Sequence, residues 1–344
     1  RPPRSTLFPY TTLFRSALHL LNLPMAGLLS LIQLICTLAI SLVYLRVLQG
    51  TSVSISPRLH GEGIIKVKTW QQRLFLALTL AFLAMLILLP LTALTARSFT
   101  RLEADRGERG QIRTGLTTRY YTELFTNEIG SLFYVPPIRA VSNSLMYAAA
   151  ATLISLVLGI MAAYAFQRTG LASRCLDLLL MLPLGTSAVT LGLGYVILLS
   201  RMAVSVQSYP LLIPVVHSLV ALPFVVRTIQ PAIVSIPHSL RQAASVQGAD
   251  SWRVWREVDL PIILRSVLAS AIFAFTISLG EFGATTFLAR PEYPTIPVAI
   301  YRFLSQPGGL NYGQAMAMAT ILMVTCGLSI TLLEWIQKPG QKYL

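Results

Sequence analysis

The distribution of charged residues is the feature that most limits what this chain can fold into. Six stretches contain no Asp, Glu, Lys or Arg, namely residues 16–45, 74–96, 140–167, 178–200, 202–226 and 303–333. A seventh, 262–288, contains only Arg265 and Glu281. Each reaches or exceeds the roughly 20 residues that a helix needs to cross a bilayer. Since lipid offers the backbone no hydrogen-bond partners, the sequence predicts an all-α polytopic membrane protein with about seven transmembrane helices.

The composition agrees with a membrane protein and argues against one that binds nucleic acid. Hydrophobic residues make up 54% of the 344 and charged residues 12%, about half of the roughly 25% found in soluble domains. The net charge of +14 is spread over several loops, whereas nucleic-acid binding favours a single basic face. The positive-inside rule places the basic loops at 58–73, 168–174, 227–256 and 338–342 in the cytoplasm. Segment 97–142, with seven arginines, lies outside by alternation and contradicts the rule.

The first residues, 1–16, do not have the pattern of a signal peptide. They read RPPRSTLFPYTTLFRS and lack the apolar core and the small-residue cleavage site of such a peptide. The string resembles a translated sequencing adapter, so we interpret it as non-native. The chain is accordingly expected to be a fragment that begins inside a longer protein.

The most informative loop, 237–261, follows the fifth apolar stretch and reads PHSLRQAASVQGADSWRVWREVDLP. Ser239 and Gln242 have the spacing of a capping box, which predicts the start of a short helix. Gly248 permits a backbone conformation closed to other residues, or a close contact. The first half of the loop is therefore predicted to be a short helix that ends in a turn.

A second short helix is predicted in the same loop. Asp250 or Ser251 is a suitable N-cap, and Trp252 and Trp255 lie three residues apart, on one face of the helix. Pro261 is expected to end this element and to open the next span. From spacing alone, two interpretations are equally acceptable: a cytoplasmic docking element, or an amphipathic helix that rests on the lipid surface.

The same loop resembles the EAA motif of permease subunits of type I ABC importers. That motif reads Glu-Ala-Ala, three residues, Gly, nine residues, Ile, one residue and Leu-Pro. Here the corresponding residues are Gln242-Ala243-Ala244, Gly248, Val258 and Leu260-Pro261. Every spacing matches, and two identities differ. Gln242 keeps the predicted capping role but loses the charge with which a Glu would pair.

The resemblance extends over about 140–335 and implies a fold and partners. It implies a six-helix permease half in the bacterial inner membrane, multi-pass, with this loop as the coupling helix on a cytoplasmic ATPase. The implied partners are two ATPase subunits, a periplasmic or lipid-anchored substrate-binding protein, a second permease half and membrane lipid. The residues implied at the ATPase contact are Gln242, Ala243, Ala244, Gly248, Ala249, Asp250, Trp252, Arg253, Leu260 and Pro261.

The chain is not expected to be an enzyme. It lacks the P-loop pattern GxxxxGK[ST], so the ATP that drives transport must be hydrolysed by the partner subunit. No catalytic residues, bound cofactor or metal site are predicted, because the four histidines, His19, His60, His217 and His238, are scattered. The main rival is an ion-coupled secondary transporter, which would not need a cytoplasmic loop of fixed spacing.

The domain organisation follows from the number of spans. Residues 74–336 are predicted to be one complete permease half and 337–344 a cytoplasmic tail. The helix at 17–48 is interpreted as the last of a preceding half, joined by a cytoplasmic linker, 49–73. The alternative is a single half with an additional N-terminal helix. A fused architecture resembles thiamine and ferric-iron importers, which suggests those substrates.

The translocation path has few candidate residues. Glu281 is either a surface carboxylate at a helix end or an ionisable group on the path, where it would suit a cationic substrate. Gly280 and Gly283 flank it and are expected to break the helix. Pro183, Gly185, Gly192 and Gly194 are candidates for a second break that lines a cavity. Their alternative role is close helix packing.

Overall fold

The structure, a computed structural model, is almost entirely helical. It describes residues 69–101, 115–126, 136–167, 170–201, 211–289 and 292–337, together with parts of 28–43. The predictions for 1–16 and for the linker 49–68 lie outside the described residues. The first apolar stretch is described only in part, as a short apolar helix at Leu31–Ile40.

From residue 69 onwards the described residues form twelve α-helices. In chain order they are α1 (Trp70–Ser98), α2 (Arg119–Thr126), α3 (Pro137–Ala165), α4 (Leu171–Gly185), α5 (Ala188–Arg201), α6 (Leu212–Val234), α7 (His238–Val246), α8 (Ser251–Val254), α9 (Leu260–Gly280), α10 (Gly283–Leu288), α11 (Ile296–Leu304) and α12 (Gly309–Gln337).

The number of spans agrees with an all-α membrane protein. Among the described residues, five helices are long and apolar enough to cross a bilayer, and a bent pair makes six. That pair is α4 and α5, which meet at an angle of 100°. The stretch 178–200 is therefore two helices, and the expected break in this span lies at residues 186–187, directly after Pro183 and Gly185. The prediction of a break at Gly192 or Gly194 is wrong, because both lie inside the continuous helix α5. Pro183 lies just before the bend, where it can donate no backbone hydrogen bond.

The core lies where α3, α6 and α9 pack together. Val225 and Ile229 of α6 and Ile263 of α9 are completely buried there. Gly159 allows the backbone of α3 to approach α6, since an added Cβ would lie 2.5 Å from Val225 Cγ1. This small-residue contact is how membrane helices gain packing energy in the absence of a hydrophobic driving force.

Two hydrogen bonds to residues around the start of α11 fix the first part of α3. Near its beginning, Asn143 Nδ2 donates to the Pro294 carbonyl at 3.1 Å, and Ser144 Oγ accepts from Ile296 N at 2.9 Å. The charge-free stretch of the sequence begins at residue 140. The helix instead begins at Pro137, after an extended Pro136, because proline suits the first turn of a helix.

One further pair links the core helix α6 to α4. Arg227 Nη2 of α6 donates to both oxygens of Asp177 on α4, at 3.0 and 3.3 Å. The sequence placed Arg227 only among the basic residues of the loop 227–256. By contrast, none of the most apolar window of α1 is buried, as expected for a helix whose surroundings are lipid or another subunit.

Candidate functional site

The first helix of the predicted coupling loop is α7, and none of its residues is buried. Its N-cap is Pro237, which has no side-chain capping bond. The predicted capping box of Ser239 and Gln242 is therefore wrong. The helix begins at His238, so that Ser239 already lies inside the first turn and is not the residue that precedes it. Gln242 is exposed.

A left-handed turn ends α7. Gly248 has φ +85°, a conformation that costs a residue with a Cβ about 1–2 kcal/mol. Gly248 N donates to the Ser245 carbonyl at 3.0 Å and Ala249 N donates to the Ala244 carbonyl at 3.1 Å. These bonds satisfy the last carbonyls of the helix, as C-terminal glycine motifs do. The conformational role predicted for Gly248 is confirmed.

The next helix, α8, is capped by Asp250. Its Oδ1 accepts from Arg253 N at 3.0 Å, which decides between Asp250 and Ser251. The Trp252 and Trp255 rings stack with centroids 4.9 Å apart, so the prediction that they share one face is confirmed. Trp252 remains 64% exposed, which leaves a large aromatic surface open to solvent or to a partner.

No break separates α8 from the following span. A π-helical turn at Trp255–Asp259 leads directly into α9, and Leu260 N donates to the Trp255 carbonyl five residues earlier. Pro261 was expected to end the element and to open the next span. Only the second expectation is confirmed, since Pro261 lies in the first turn of α9, directly after the π-helical turn. The second half of the coupling loop is thus helically continuous with a core helix.

The predicted ATPase-contact residues occupy an accessible region made of α7, the turn, α8 and the first turn of α9. We call it the coupling surface. Ala244, Ala249 and Leu260 are half-buried, and the other members are exposed. Those exposed members are Gln242, Ala243, Gly248, Asp250, Trp252, Arg253 and Pro261.

A second group of side chains, which the sequence did not single out, lies behind this surface. Arg241 of α7 donates from Nε and Nη2 to the two oxygens of Asp259, at 2.8 and 3.1 Å. The Tyr164 hydroxyl, in the last turn of α3, donates to Asp259 Oδ2 at 2.9 Å. We call these three residues the loop anchor. A lone acidic residue immediately before an apolar span was the only signal of it.

The loop anchor is energetically significant because it is largely buried. The side chains of Arg241 and Asp259 are 21% and 6% exposed, and the hydrogen bonds to Asp259 raise the pKa of Arg241 above its usual value. Removing one partner of such a pair typically costs about 3–5 kcal/mol, since the other charge stays buried without compensation.

The candidate path residues surround a break between two helices. α9 ends at Gly280 and α10 begins at Gly283, so the predicted break is confirmed. Glu281 is half-buried, and its Oε1 accepts from Ala284 N at 2.8 Å. Its carboxylate thus caps the first turn of α10. A role on the translocation path stays a prediction.

The glycines near this break fall into two classes. An added Cβ at Gly192 would lie 2.7 Å from Ala284 Cα, and one at Gly283 would lie 2.9 Å from Val189 N. These two positions therefore serve the close crossing of α5 and α10. Gly194 and Gly280 have no atom within 4 Å of such a Cβ, and close packing does not explain them.

A buried histidine ties the same region to α6. His217 Nδ1 and Ser278 Oγ lie 2.7 Å apart, and so do His217 Nε2 and Thr285 Oγ1. One imidazole thus joins α6 to both sides of the break. His217 thus has a satisfied polar role, and the sequence did not reveal its partners. Among the described residues there is no group of three or more residues suited to hold a metal.

Comparison with protein families gives an independent match. Residues 155–342, more than half of the chain, match the family model described as binding-protein-dependent transport system inner membrane component. The matched region begins within α3 and includes the coupling surface and the loop anchor.

Individual relatives are similar over different lengths. The molybdenum transport system permease protein ModB of Haemophilus influenzae is 40% identical over 37% of this chain and 56% of its own length. ModB of Escherichia coli K12 is 31% identical over 59% of this chain and 94% of its own length. The "Probable sulfate transport system permease protein cysT" of Chlorokybus atmophyticus is 26% identical over 78% and 90%.

Among solved structures, a chain from a bacterial ABC transporter involved in the import of the acidic polysaccharide alginate has a similar fold. The TM-score is 0.59 at 18% sequence identity, with 79% of this chain and 96% of that chain covered. At this identity, the similarity concerns the fold alone.

Proposed function

The chain belongs to the family of binding-protein-dependent transport system inner membrane components, the permease subunits of ABC importers, and from that premise we propose a tetrahedral oxyanion as its substrate and the coupling surface as its ATPase contact. Its class is therefore a multi-pass inner-membrane transport subunit and not an enzyme. Membership of this family argues against the alternative of an ion-coupled secondary transporter. The fused second half stays a prediction.

The observation that carries the proposed ATPase contact is the shape of the coupling surface. Two helices present exposed polar groups around an exposed aromatic side chain, Trp252, and an open glycine turn at Gly248. Buried aromatic anchors contribute strongly to protein interfaces. The fixed spacing of the EAA-like segment fits one defined docking geometry, since the turn and the cap determine how α7 and α8 are placed.

The substrate proposal rests on relatives whose names refer to molybdenum and sulfate. The thiamine and ferric-iron substrates expected from the fused architecture find no support in these relatives. Glu281 does not require a cationic substrate, because its Oε1 already accepts a hydrogen bond from Ala284 N. Backbone amides at the start of a helix stabilise a carboxylate, so its presence here is explained without a bound cation.

The substrate proposal predicts a selective transport profile. In vesicles that contain this permease with its ATPase and binding protein, uptake of radiolabelled molybdate or sulfate should require ATP. Excess unlabelled molybdate or sulfate should compete, whereas thiamine and ferric iron should not. Vesicles without ATP serve as the control. Uptake of thiamine or ferric iron that oxyanions do not inhibit would contradict the proposal.

The proposed contact predicts that Trp252→Ala weakens binding of the ATPase subunit. Removal of an interface aromatic commonly costs 1–2 kcal/mol or more, so we expect the Kd to rise about tenfold. Detergent-purified permease and ATPase would be titrated by fluorescence anisotropy. Trp335→Ala is the matched control, since Trp335 on α12 is 72% exposed and lies outside the coupling surface. An equal change for both variants would argue against the contact.

A further inference from the structure

The loop anchor joins the coupling surface to two core helices. Arg241 belongs to α7, Asp259 ends the π-helical turn before α9, and Tyr164 lies in the last turn of α3. We propose, on the basis of the function proposed above, that the loop anchor is the joint through which movement of α7 reaches α3 and α9. Its three residues are positioning residues for transport and do not contact the substrate.

The first argument is that α7 has no other strong attachment to the bundle. None of its residues is buried, so apolar packing holds it only weakly. Among the described residues, the hydrogen bonds from α7 side chains to another element are those of Arg241 to Asp259. A force applied to α7 by a partner is therefore transmitted through this pair and through the two chain connections.

The second argument concerns geometry. A guanidinium that binds both oxygens of a carboxylate fixes orientation as well as distance. The Tyr164 hydroxyl shares Asp259 Oδ2 with Arg241 Nη2, which brings α3 into the same bonded unit. Because all three side chains meet at one carboxylate, a tilt of α7 moves α3 and α9 together.

The third argument concerns the contacts that α3 and α9 make away from the loop anchor. α3 and α9 both pack against α6, with Ala163 and Ile263 in the same buried cluster as Val225. At its other end, α9 stops at the break beside Glu281, and Ser278 of its last turn contacts His217. A shift of α9 at the loop anchor therefore acts on the helix that borders the candidate path.

The exposed pair of the same loop lacks these properties. Arg253 Nε lies 3.1 Å from Glu257 Oε1, but both side chains are more than half exposed and lie four residues apart on one continuous helical stretch. Such a pair contributes little, and it connects no separate elements. The loop anchor is the arrangement in this loop that can transmit movement.

The test separates coupling from assembly. Arg241→Lys keeps the charge and one bond to Asp259 but loses the two-point geometry. In the complete transporter reconstituted in vesicles, the amount of assembled complex and the ATPase rate should stay within about twofold of the unaltered protein, while substrate transported per ATP falls about tenfold. Tyr164→Phe removes only a hydroxyl and should lower that ratio about threefold.

Arg227→Lys is the matched control, because Arg227 makes a similar pair with Asp177 between α4 and α6. Its transport per ATP should be unchanged. If Arg241→Lys and Tyr164→Phe both keep the normal amount of substrate transported per ATP, whether or not they lower assembly, the proposed role of the loop anchor is overturned. If Arg241→Lys does not assemble, a normal amount of substrate transported per ATP in Tyr164→Phe overturns the proposed role. Absence of ATP-dependent uptake by the unaltered complex would instead contradict the proposed function, and the joint with it.

Discussion

Replacing Gly192 by leucine is expected to abolish the folded permease. Gly192 is buried in the crossing of α5 and α10, where a Cβ would lie 2.7 Å from Ala284 Cα and 2.9 Å from the Ala284 carbonyl oxygen. Backbone atoms cannot move aside as a flexible side chain can. The substitution must therefore separate the two helices. We expect the free energy of unfolding to fall by an amount at or above the upper end of the roughly 1–3 kcal/mol known for overpacked cores.

The measurement is the yield of monodisperse permease after detergent extraction, together with its thermal unfolding temperature. Gly194→Leu is the matched control on the same helix, because a Cβ there meets no atom within 4 Å. It should purify at nearly the normal yield. Equal yields of the two variants would show that the close approach of α5 and α10 is not needed for folding.

Replacing Gly248 by leucine should abolish ATP-dependent uptake while leaving the membrane helices folded. No atom lies within 4 Å of a Cβ at this position, so the side chain does not disturb the core. Two effects combine at the coupling surface: strain at φ +85°, and a bulky group where the ATPase docks. We expect uptake to fall at least about 100-fold, which corresponds to about 2.7 kcal/mol.

Two controls separate strain from docking. Gly248→Asn tolerates the left-handed conformation better than leucine does, so its α7 should stay intact while its uptake still falls. Gly308→Leu introduces a side chain at the other described glycine with positive φ, +122°, on the connection between α11 and α12. It should retain ATP-driven uptake per folded molecule. Normal uptake by Gly248→Leu, or uptake that follows an ion gradient, would contradict the coupling role.

The membrane helices were predictable from the sequence because their cause is local. Uninterrupted apolar length decides whether a segment can cross lipid, and this property is visible in stretches such as 74–96. The Gly248 turn and the Asp250 cap were predictable for the same reason, since each depends on a few adjacent residues. The capping box at Ser239 failed because its spacing also occurs inside a helix, and the start of α7 depends on Pro237.

The contacts that connect helices were not predictable. Arg241 and Asp259 are 18 residues apart and Tyr164 is 95 residues from Asp259, so neither pairing follows from spacing. Likewise, Gly192 and Gly194 have the same local sequence character, and only the position of Ala284 separates their roles. The bend between α4 and α5 also depends on neighbouring helices, because Pro183 permits a kink but does not fix its angle.

The π-helical turn at Trp255–Asp259 has a rotational consequence. Each residue of an α-helix turns the chain by about 100°, so the additional residue in this wider turn offsets the faces of α8 and α9 by roughly that angle. The stacked tryptophans can thus face outward while Ile263, a few residues later, faces the core. The number of residues between Gly248 and Pro261 therefore determines the rotation of α8 about its axis as well as its distance from the membrane. An insertion or deletion of one residue in that interval would turn the tryptophan face of α8 away from the exposed face of α7.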